Sequence, residues 1–369
     1  MHDQTMALDA GPIEPAASSP PRAHPERPFE FRGSPREYFR IWIVNLALSI
    51  ATLGIYSAWA SVRTRRYFYA NTWLAGSPFE YSAQPLPILR GRLIAVLIFA
   101  CYILASRVSP WAQLAAAGAV ALVMPWLLVR GLAFRARYSS WRGLPFRFEP
   151  DFKSAYAWYL AAYLLMLPTA GFAYPWIKKR QQHWMVRHHR YGNAEFDFEN
   201  KLSSYFEVLF ATIGIVLLAL LVLVVFAAII GLASAGPHGL DLKGHPILVL
   251  LAVYAAYIPA YLAVYAYNRS RMLNLLYNGA ILGGGHRLRS TLGFREMLWI
   301  YLSNLAAIVF TVGLAMPWAK VRMVRYRASN LCLEPAGDLD AFVAETQAQT
   351  DVGALGAEMD GFFSIDIGL

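Results

Sequence analysis

Three times along this chain an apolar stretch closes on the same signature. The copies are Thr52, Gly54, Trp59 and Arg63; Thr169, Gly171, Trp176 and Arg180; and Thr311, Gly313, Trp318 and Arg322, with identical spacing in each. Seven and eight residues past each tryptophan come a basic or histidine residue (Arg66, His183, Arg325) and an aromatic one (Tyr67, Trp184, Tyr326). So many unlike side chains in register identify an internal repeat rather than chance apolar composition. Each copy is expected to build the same local structure, and the molecule to be a three-unit array.

What surrounds the repeat limits the class. Hydrophobic residues make up 57% of the 369 and charged residues 15%, outside the usual range of soluble domains, so a multispanning membrane protein is expected. Four apolar windows (93–105, 114–132, 208–233 and 247–265) read as spans, the first short of the roughly 20 residues a crossing helix needs. Three more (38–60, 154–177 and 297–319) carry the repeat. Residues 1–27 are rich in Pro, Ala and charged side chains, lack the apolar core of a cleavable signal, and are expected to form a disordered tail. Residues 28–337 are read as the membrane domain, with repeat units at about 29–92, 138–205 and 278–337, and 338–369 as an acidic, weakly ordered C-terminal tail. The two cysteines, Cys101 and Cys332, suggest neither redox chemistry nor a thiol metal site.

The placement of the 33 Lys and Arg says more than the net charge of +10. If all seven windows crossed, alternating loops would divide these charges almost evenly, against the positive-inside rule. If the three repeat windows enter and leave by one face, all except Arg107 and Lys243 share a side. The sequence therefore predicts bent or re-entrant repeat helices beside two transmembrane helical hairpins, with both termini cytoplasmic. Thr-x-Gly supplies the turn, since glycine tolerates the left-handed conformation after a last helical turn, and Pro168, Pro175 and Pro317 interrupt backbone bonding nearby. Broken backbone at membrane depth must be covered by protein or water, so the three breaks are expected to pack together.

A second repeated element lies between the apolar segments. Residues 71–81 alternate apolar and polar side chains around a Gly-Ser-Pro turn and read as a β-hairpin. Residues 139–148, 191–198, 278–288 and 330–333 are its relatives, and 29–33 resembles a partner strand. Isolated hairpins are marginal in water, so small sheets on the cytoplasmic face are expected. The predicted fold class is an all-α polytopic membrane protein with a three-fold repeat of bent or re-entrant helices, two transmembrane hairpins and short cytoplasmic β-hairpins.

Taken in order, Phe29-Glu-Phe-Arg-Gly33, Glu37-Tyr38-Phe39, Trp42-Ile-Val-Asn45, the first repeat copy, Arg65-Arg66-Tyr67-Phe68 and the closing Asp366-Ile-Gly-Leu369 resemble the YjgN-like family of bacterial inner-membrane proteins. The resemblance covers roughly residues 29–369. It implies a multi-pass location in a bacterial inner membrane. That family is one of unknown function, so the resemblance carries over no catalytic or binding residue.

Catalysis at depth needs paired polar groups, and the apolar windows offer Asn45, Asn304, Glu207 and the repeat threonines without dyad or triad spacing; no enzyme and no cofactor are predicted. His183, His188 and His189 lack zinc-helix spacing and sit among Lys179, Arg180, Arg187 and Arg190, whose charge opposes a cation, so no metal is predicted. Gly283-Gly-Gly-His286 has no Lys-Ser/Thr after it and reads as a flexible turn. Basic residues interleaved with aromatics at membrane edges favour anionic lipid over nucleic acid as partner. The expected headgroup anchors are Trp59, Arg63, Arg66, Trp176, Lys179, Arg180, Trp318, Arg322 and Arg325. Asn45 and Asn304 occupy one place in copies one and three, and either bond across a central axis or cap their own broken backbone.

Broken helices carrying Thr, Gly and Asn resemble the way transporters line a polar site at depth. The expected function is a channel or transporter-like protein binding or passing a small solute or lipid at Asn45, Thr52, Gly54, Thr169, Gly171, Asn304, Thr311 and Gly313. The alternative is a non-transporting scaffold or organiser of anionic lipid; a homo-oligomer is compatible with either. The acidic tail is expected either to dock on the basic face by charge attraction, anchored by Phe362, Phe363, Ile365, Ile367 and Leu369, or to hang loose.

Overall fold

The computed structural model describes residues 25–234 and 246–360. Strand β1 (Arg27–Phe31) leads into helices α1 (Pro35–Ala51) and α2 (Ser57–Ala70), which return the chain to β2 (Thr72–Leu74). After a tight turn, β3 (Ser77–Tyr81) leads into α3 (Pro85–Val108) and α4 (Pro110–Arg137), which end at β4 (Ser139–Trp141). The pattern repeats with β5 (Leu144–Phe148), α5 (Phe152–Tyr159), α6 (Tyr174–Arg187) and β6 (His189–Tyr191). It repeats again with β7 (Ala194–Phe198), α7 (Leu202–Ser234), α8 (Pro246–Asn278) and β8 (Ala280–Leu282). The last round is β9 (His286–Ser290), α9 (Phe294–Phe310), α10 (Met316–Ser329) and β10 (Leu331–Glu334), after which α11 (Leu339–Asp360) follows.

Each helical excursion comes home beside the strand it left. Phe31 pairs with Thr72, Tyr81 with Ser139, Phe148 with His189, Phe198 with Ala280, and Ser290 with Leu331. Tight turns join the strands at the opposite end, and β1 pairs with β10, so ten antiparallel strands close into one barrel. All five excursions consequently start and finish on one rim.

This barrel corrects the expectation of an all-α protein bearing separate short hairpins. The hairpins at 71–81, 139–148, 191–198 and 278–288 do form, but each one's edge is covered by the next, and closure leaves no edge unpaired. Strands of three to five residues would be too short to stand as isolated pairs. The expected pair of transmembrane hairpins is also corrected. Among the described residues, three helices are long and apolar enough to cross a bilayer: Pro85–Val108, Pro110–Arg137 and Leu202–Ile229. The fourth expected window falls in α8, the first turn of which has side chains outside the described residues.

Period-two alternation puts one large apolar side chain of every strand into the barrel. Phe29, Leu74, Phe79, Trp141, Phe146, Tyr191, Phe196, Leu282, Leu288 and Leu333 form a continuous belt. Ring centroids of 6.1 Å for Phe79 and Trp141 and 5.2 Å for Phe146 and Tyr191 show aromatic contact around it. Burial of each such side chain is worth about 1.5–3 kcal/mol, which makes the belt the main cohesive element of the barrel. The helices follow the same circular order. The substantial helix contacts run from each of α1 to α10 to its neighbour, and α10 closes on α1, leaving the axis of the ring between them.

The Thr-x-Gly segments are helix-reversing turns. Gly54, Gly171 and Gly313 have φ of 90°, 88° and 92°, and the residues before them, Leu53, Ala170 and Val312, are at 49°, 46° and 50°. The glycine N–H donates five residues back, to Ser49, Met166 and Ile308 carbonyls at 2.7, 2.8 and 2.7 Å. Each threonine hydroxyl donates to the carbonyl four residues earlier and accepts the N–H four residues later, at 2.9, 3.1 and 2.9 Å to Tyr56, Ala173 and Ala315. One side chain thus satisfies an N–H orphaned at the start of the returning helix while it is anchored on a carbonyl of the outgoing arm. At about 1.5 Å per residue, the 17 residues of α1 reach about 25 Å and the 24 of α3 about 36 Å.

Candidate functional site

The chamber of greatest chemical interest lies on the shared axis of barrel and helix ring. It has a volume of about 590 Å³ and is walled by the ten-residue belt on one side. On the other it meets the ends of the returning helices: Phe68 and Tyr69 of α2, Arg135 and Ala136 of α4, Arg269, Leu273 and Tyr277 of α8, and Val324 and Arg327 of α10. These positions fall within one to about three helical turns of the strands they feed, so the barrel's closure is what brings them to one axis. Thr72, Ser139, His189 and Ser290 make a polar collar between the two halves.

Electrostatically the lining is one-sided. It contains three arginines and no aspartate or glutamate. Arg135 Nε donates to the Gly131 carbonyl at 3.3 Å. Arg327 reaches the Tyr301 hydroxyl at 3.4 Å, while its Nε is buried with no hydrogen-bond partner. Burial, reinforced by Arg135 and His188 and opposed by a bond to the Met185 carbonyl, holds His189 below the ordinary imidazole range, so the chamber's fixed charge comes from guanidinium groups. An unpartnered buried cation is costly unless an anion meets it.

Helix α11 closes the mouth of the barrel away from the helix ring. Leu339 and Val343 are buried against the belt and Phe342 packs beside them. Phe342 stands 4.5 Å from the His286 ring and 6.5 Å from that of Tyr191. Asn193 donates to the Gln349 carbonyl at 2.9 Å, and Arg142 pairs with Asp340. The Gly283-Gly-Gly-His286 turn thus belongs to the seat of α11: His286 Nδ1 accepts the Ala336 N–H at 3.2 Å. The anchors expected at 362–369 lie outside the described residues.

The site residues drawn from the sequence do not meet at this chamber. Nothing lies within 4 Å of a Cβ built on Gly54, Gly171 or Gly313, and Leu53 and Val312 beside two of them are 96% and 92% exposed. The breaks, with Thr52, Thr169 and Thr311, are three separate exposed tips. Asn45 and Asn304 each bind within their own hairpin, to the Ala60 and Ala319 carbonyls at 3.5 and 3.2 Å, the capping alternative. Arg66 and Arg325 donate to the Ala83 and Gly33 carbonyls, both at 3.0 Å, and Arg322 to Ser303 and Asn304 at 2.6 and 3.3 Å. Arg63 is exposed, Trp59 stacks on Tyr56 at 6.2 Å, and Trp318 lies under Arg322 at 5.1 Å. Trp176, Lys179 and Arg180 share a separate groove with His183. His188 and His189 instead bond backbone carbonyls of α6 at 2.7 and 2.6 Å. The belt itself had a sequence signal, aromatic-polar-aromatic triplets opening four excursions: Phe29-Glu-Phe31, Phe79-Glu-Tyr81, Phe146-Arg-Phe148 and Phe196-Asp-Phe198.

Bilayer-length apolar helices hung from one rim of a small closed barrel define an integral membrane protein with an axial chamber. The chain belongs to the family described as "Bacterial protein of unknown function (DUF898)", which matches residues 26–362. It is 27% identical over 361 residues to the Inner membrane protein YjgN of Salmonella typhimurium, covering 84% of this chain and 89% of that protein. The Inner membrane proteins YjgN of Escherichia coli O157:H7 and of strain K12 are 25% and 24% identical, each over 90% of this chain and 94% of its own length. No solved structure matches. An inner-membrane location is therefore shared with these relatives.

Proposed function

We propose that this inner-membrane protein binds a single-chain anionic amphiphile, its apolar body against the barrel belt and its acidic group on Arg135, Arg269 and Arg327. The observation that carries this reading is a chamber of about 590 Å³ with ten apolar belt residues, three arginines and no carboxylate. That volume falls in the roughly 300–1,000 Å³ range of small-ligand sites and suits one acyl chain with its head. The barrel stands on the cytoplasmic side in this reading, because five excursions that share one rim leave, among the described residues, only Arg107 of all the Lys and Arg near a far turn. The hairpins α1/α2, α5/α6 and α9/α10 are re-entrant, since helices of about 25 Å or less stop short of the far surface. Lipid can reach the axis beneath their tips, between the longer α3/α4 and α7/α8 pairs. With α11 over the outer mouth, the chamber is a closed receptacle filled from the bilayer. A lipid-organising scaffold, by contrast, would have this axis filled by side chains.

The test is equilibrium binding of radiolabelled oleate to the full chain in a non-ionic detergent. Saturable binding at one site is expected, weakened at least tenfold by Arg269→Gln with Arg327→Gln and abolished by filling the belt with Leu288→Trp. Oleate binding unchanged in both variants, each folded by thermal unfolding, would overturn the reading.

A further inference from the structure

Two of the places at which the second repeat copy departs from the other two face the same groove. Lys179 stands where copies one and three bury Val62 and Val321, which are 4% and 0% exposed. His183 stands where those copies carry Arg66 and Arg325, each tied to a backbone carbonyl at 3.0 Å. A lysine in place of a core valine and a shorter ring in place of an arginine open a groove of about 860 Å³ between α6 and the start of α7. Its walls carry Trp176, Lys179, Arg180, His183, Lys201 and Ser204.

Lys179 and Lys201 have no hydrogen-bond or ion-pair partner among the described residues. Among the described residues, Arg180 has ring faces as its partners, at 5.6 Å from Trp158 and 5.9 Å from Trp176. The one carboxylate in the lining, Glu199, pairs with Arg287 at 3.3 Å. Three cations are thus left facing a cleft that begins where the bilayer-length segment Leu202–Ile229 begins, at the depth where headgroups lie.

We infer that this groove is a binding site for a phosphate group at the membrane surface, distinct from the axial chamber. Lys179 and Lys201 neutralise the phosphate as point charges, Arg180 is held in place by the two indoles, and Ser204 donates a hydroxyl. Trp176 fixes the depth as an interfacial aromatic. The phosphate can come from a phospholipid headgroup or from free phosphate in the cytoplasm, and the chemistry of the site is common to both.

The experiment is calorimetric titration of the full chain in a non-ionic detergent with dioctanoyl phosphatidylglycerol, dioctanoyl phosphatidylcholine and inorganic phosphate. Phosphatidylglycerol should bind at least tenfold more tightly than phosphatidylcholine. Lys179→Val with Lys201→Gln, and separately the surface change Arg180→Gln, should each weaken it at least tenfold, while Lys179→Arg retains it. Competition by inorganic phosphate assigns the site to free phosphate as well as lipid; absence of competition assigns it to lipid. Binding that survives both groove variants, or that is lost in Arg269→Gln with Arg327→Gln instead, overturns the inference; failure of oleate binding leaves it untouched.

Discussion

Replacing Leu339 by alanine should loosen α11 far more than removing its charge. Leu339 is 6% exposed and packs on the barrel belt with Val343, which is 7% exposed. Truncating a buried leucine costs about 2–5 kcal/mol, and the low end, about 2–3, applies at a rim where neighbours can relax into the space. That corresponds to roughly 30- to 150-fold more frequent undocking. The competing contribution is the ion pair between Arg142 and Asp340, whose side chains are 20% and 80% exposed. A pair so open to water is worth about 0–1 kcal/mol, less in salt, hence at most about fivefold. Charge attraction, which the acidic composition of the tail suggests, is therefore the minor cause of docking. Hydrogen exchange of the amides in residues 339–350 reads local opening directly. Leu339→Ala should accelerate it by more than an order of magnitude, whereas Asp340→Asn or about 1 M salt should change it only a few-fold. Equal acceleration by Asp340→Asn and Leu339→Ala would refute apolar docking.

Gly313→Ala should lower stability by about 1–2 kcal/mol, because an L-residue is strained near φ of 92° although no atom obstructs its Cβ. Gly118→Ala within α4, equally unobstructed and in a helical conformation, should be neutral or stabilising by up to about 1 kcal/mol in the same thermal unfolding assay. Asn304→Leu should cost about 1–3 kcal/mol by leaving Arg322 and the Ala319 carbonyl short of a partner. Asn45→Leu should cost less than Asn304→Leu, since Asn45 has a 3.5 Å bond and an unpartnered Oδ1. Cysteines placed at residues 78 and 194, on the outer turns of the barrel, should resist an impermeant thiol reagent in intact cells. A cysteine at Ser109, at the far turn of α3/α4, should react; the reverse pattern would place the barrel outside.

Much of the local structure is legible in the residues alone. Thr-x-Gly with its proline and tryptophan neighbours reads as a helix break, and it is one, because turn geometry depends on a glycine's freedom and a hydroxyl four residues from both its partners. The four hairpins read from alternation are present for the same local reason. Long apolar windows identify membrane helices since length and hydropathy suffice for that. The site was not legible. Asn45, Thr52 and Gly54 stood out because they were polar or broken in an apolar context, and each makes its hydrogen bonds within its own hairpin.

What the tertiary structure alone decided is which strand lies beside which. Phe31 meets Thr72 and Tyr81 meets Ser139 only after 40 or more intervening residues have doubled back as a helical pair, and nothing in a strand's own alternation specifies a partner at that distance. Closure of the barrel is a sum of such pairings. It gathers Arg135, Arg269 and Arg327 from three different excursions onto one axis, where their shared charge, unremarkable at any single position, becomes a property of the chamber. The sequence alone determined where the chain turns, what it buries and that it enters a membrane, since those follow from side chains within one helical turn or one hairpin of each other. Which cations face one another was set by long-range register, and register is settled by the packing of the whole ring.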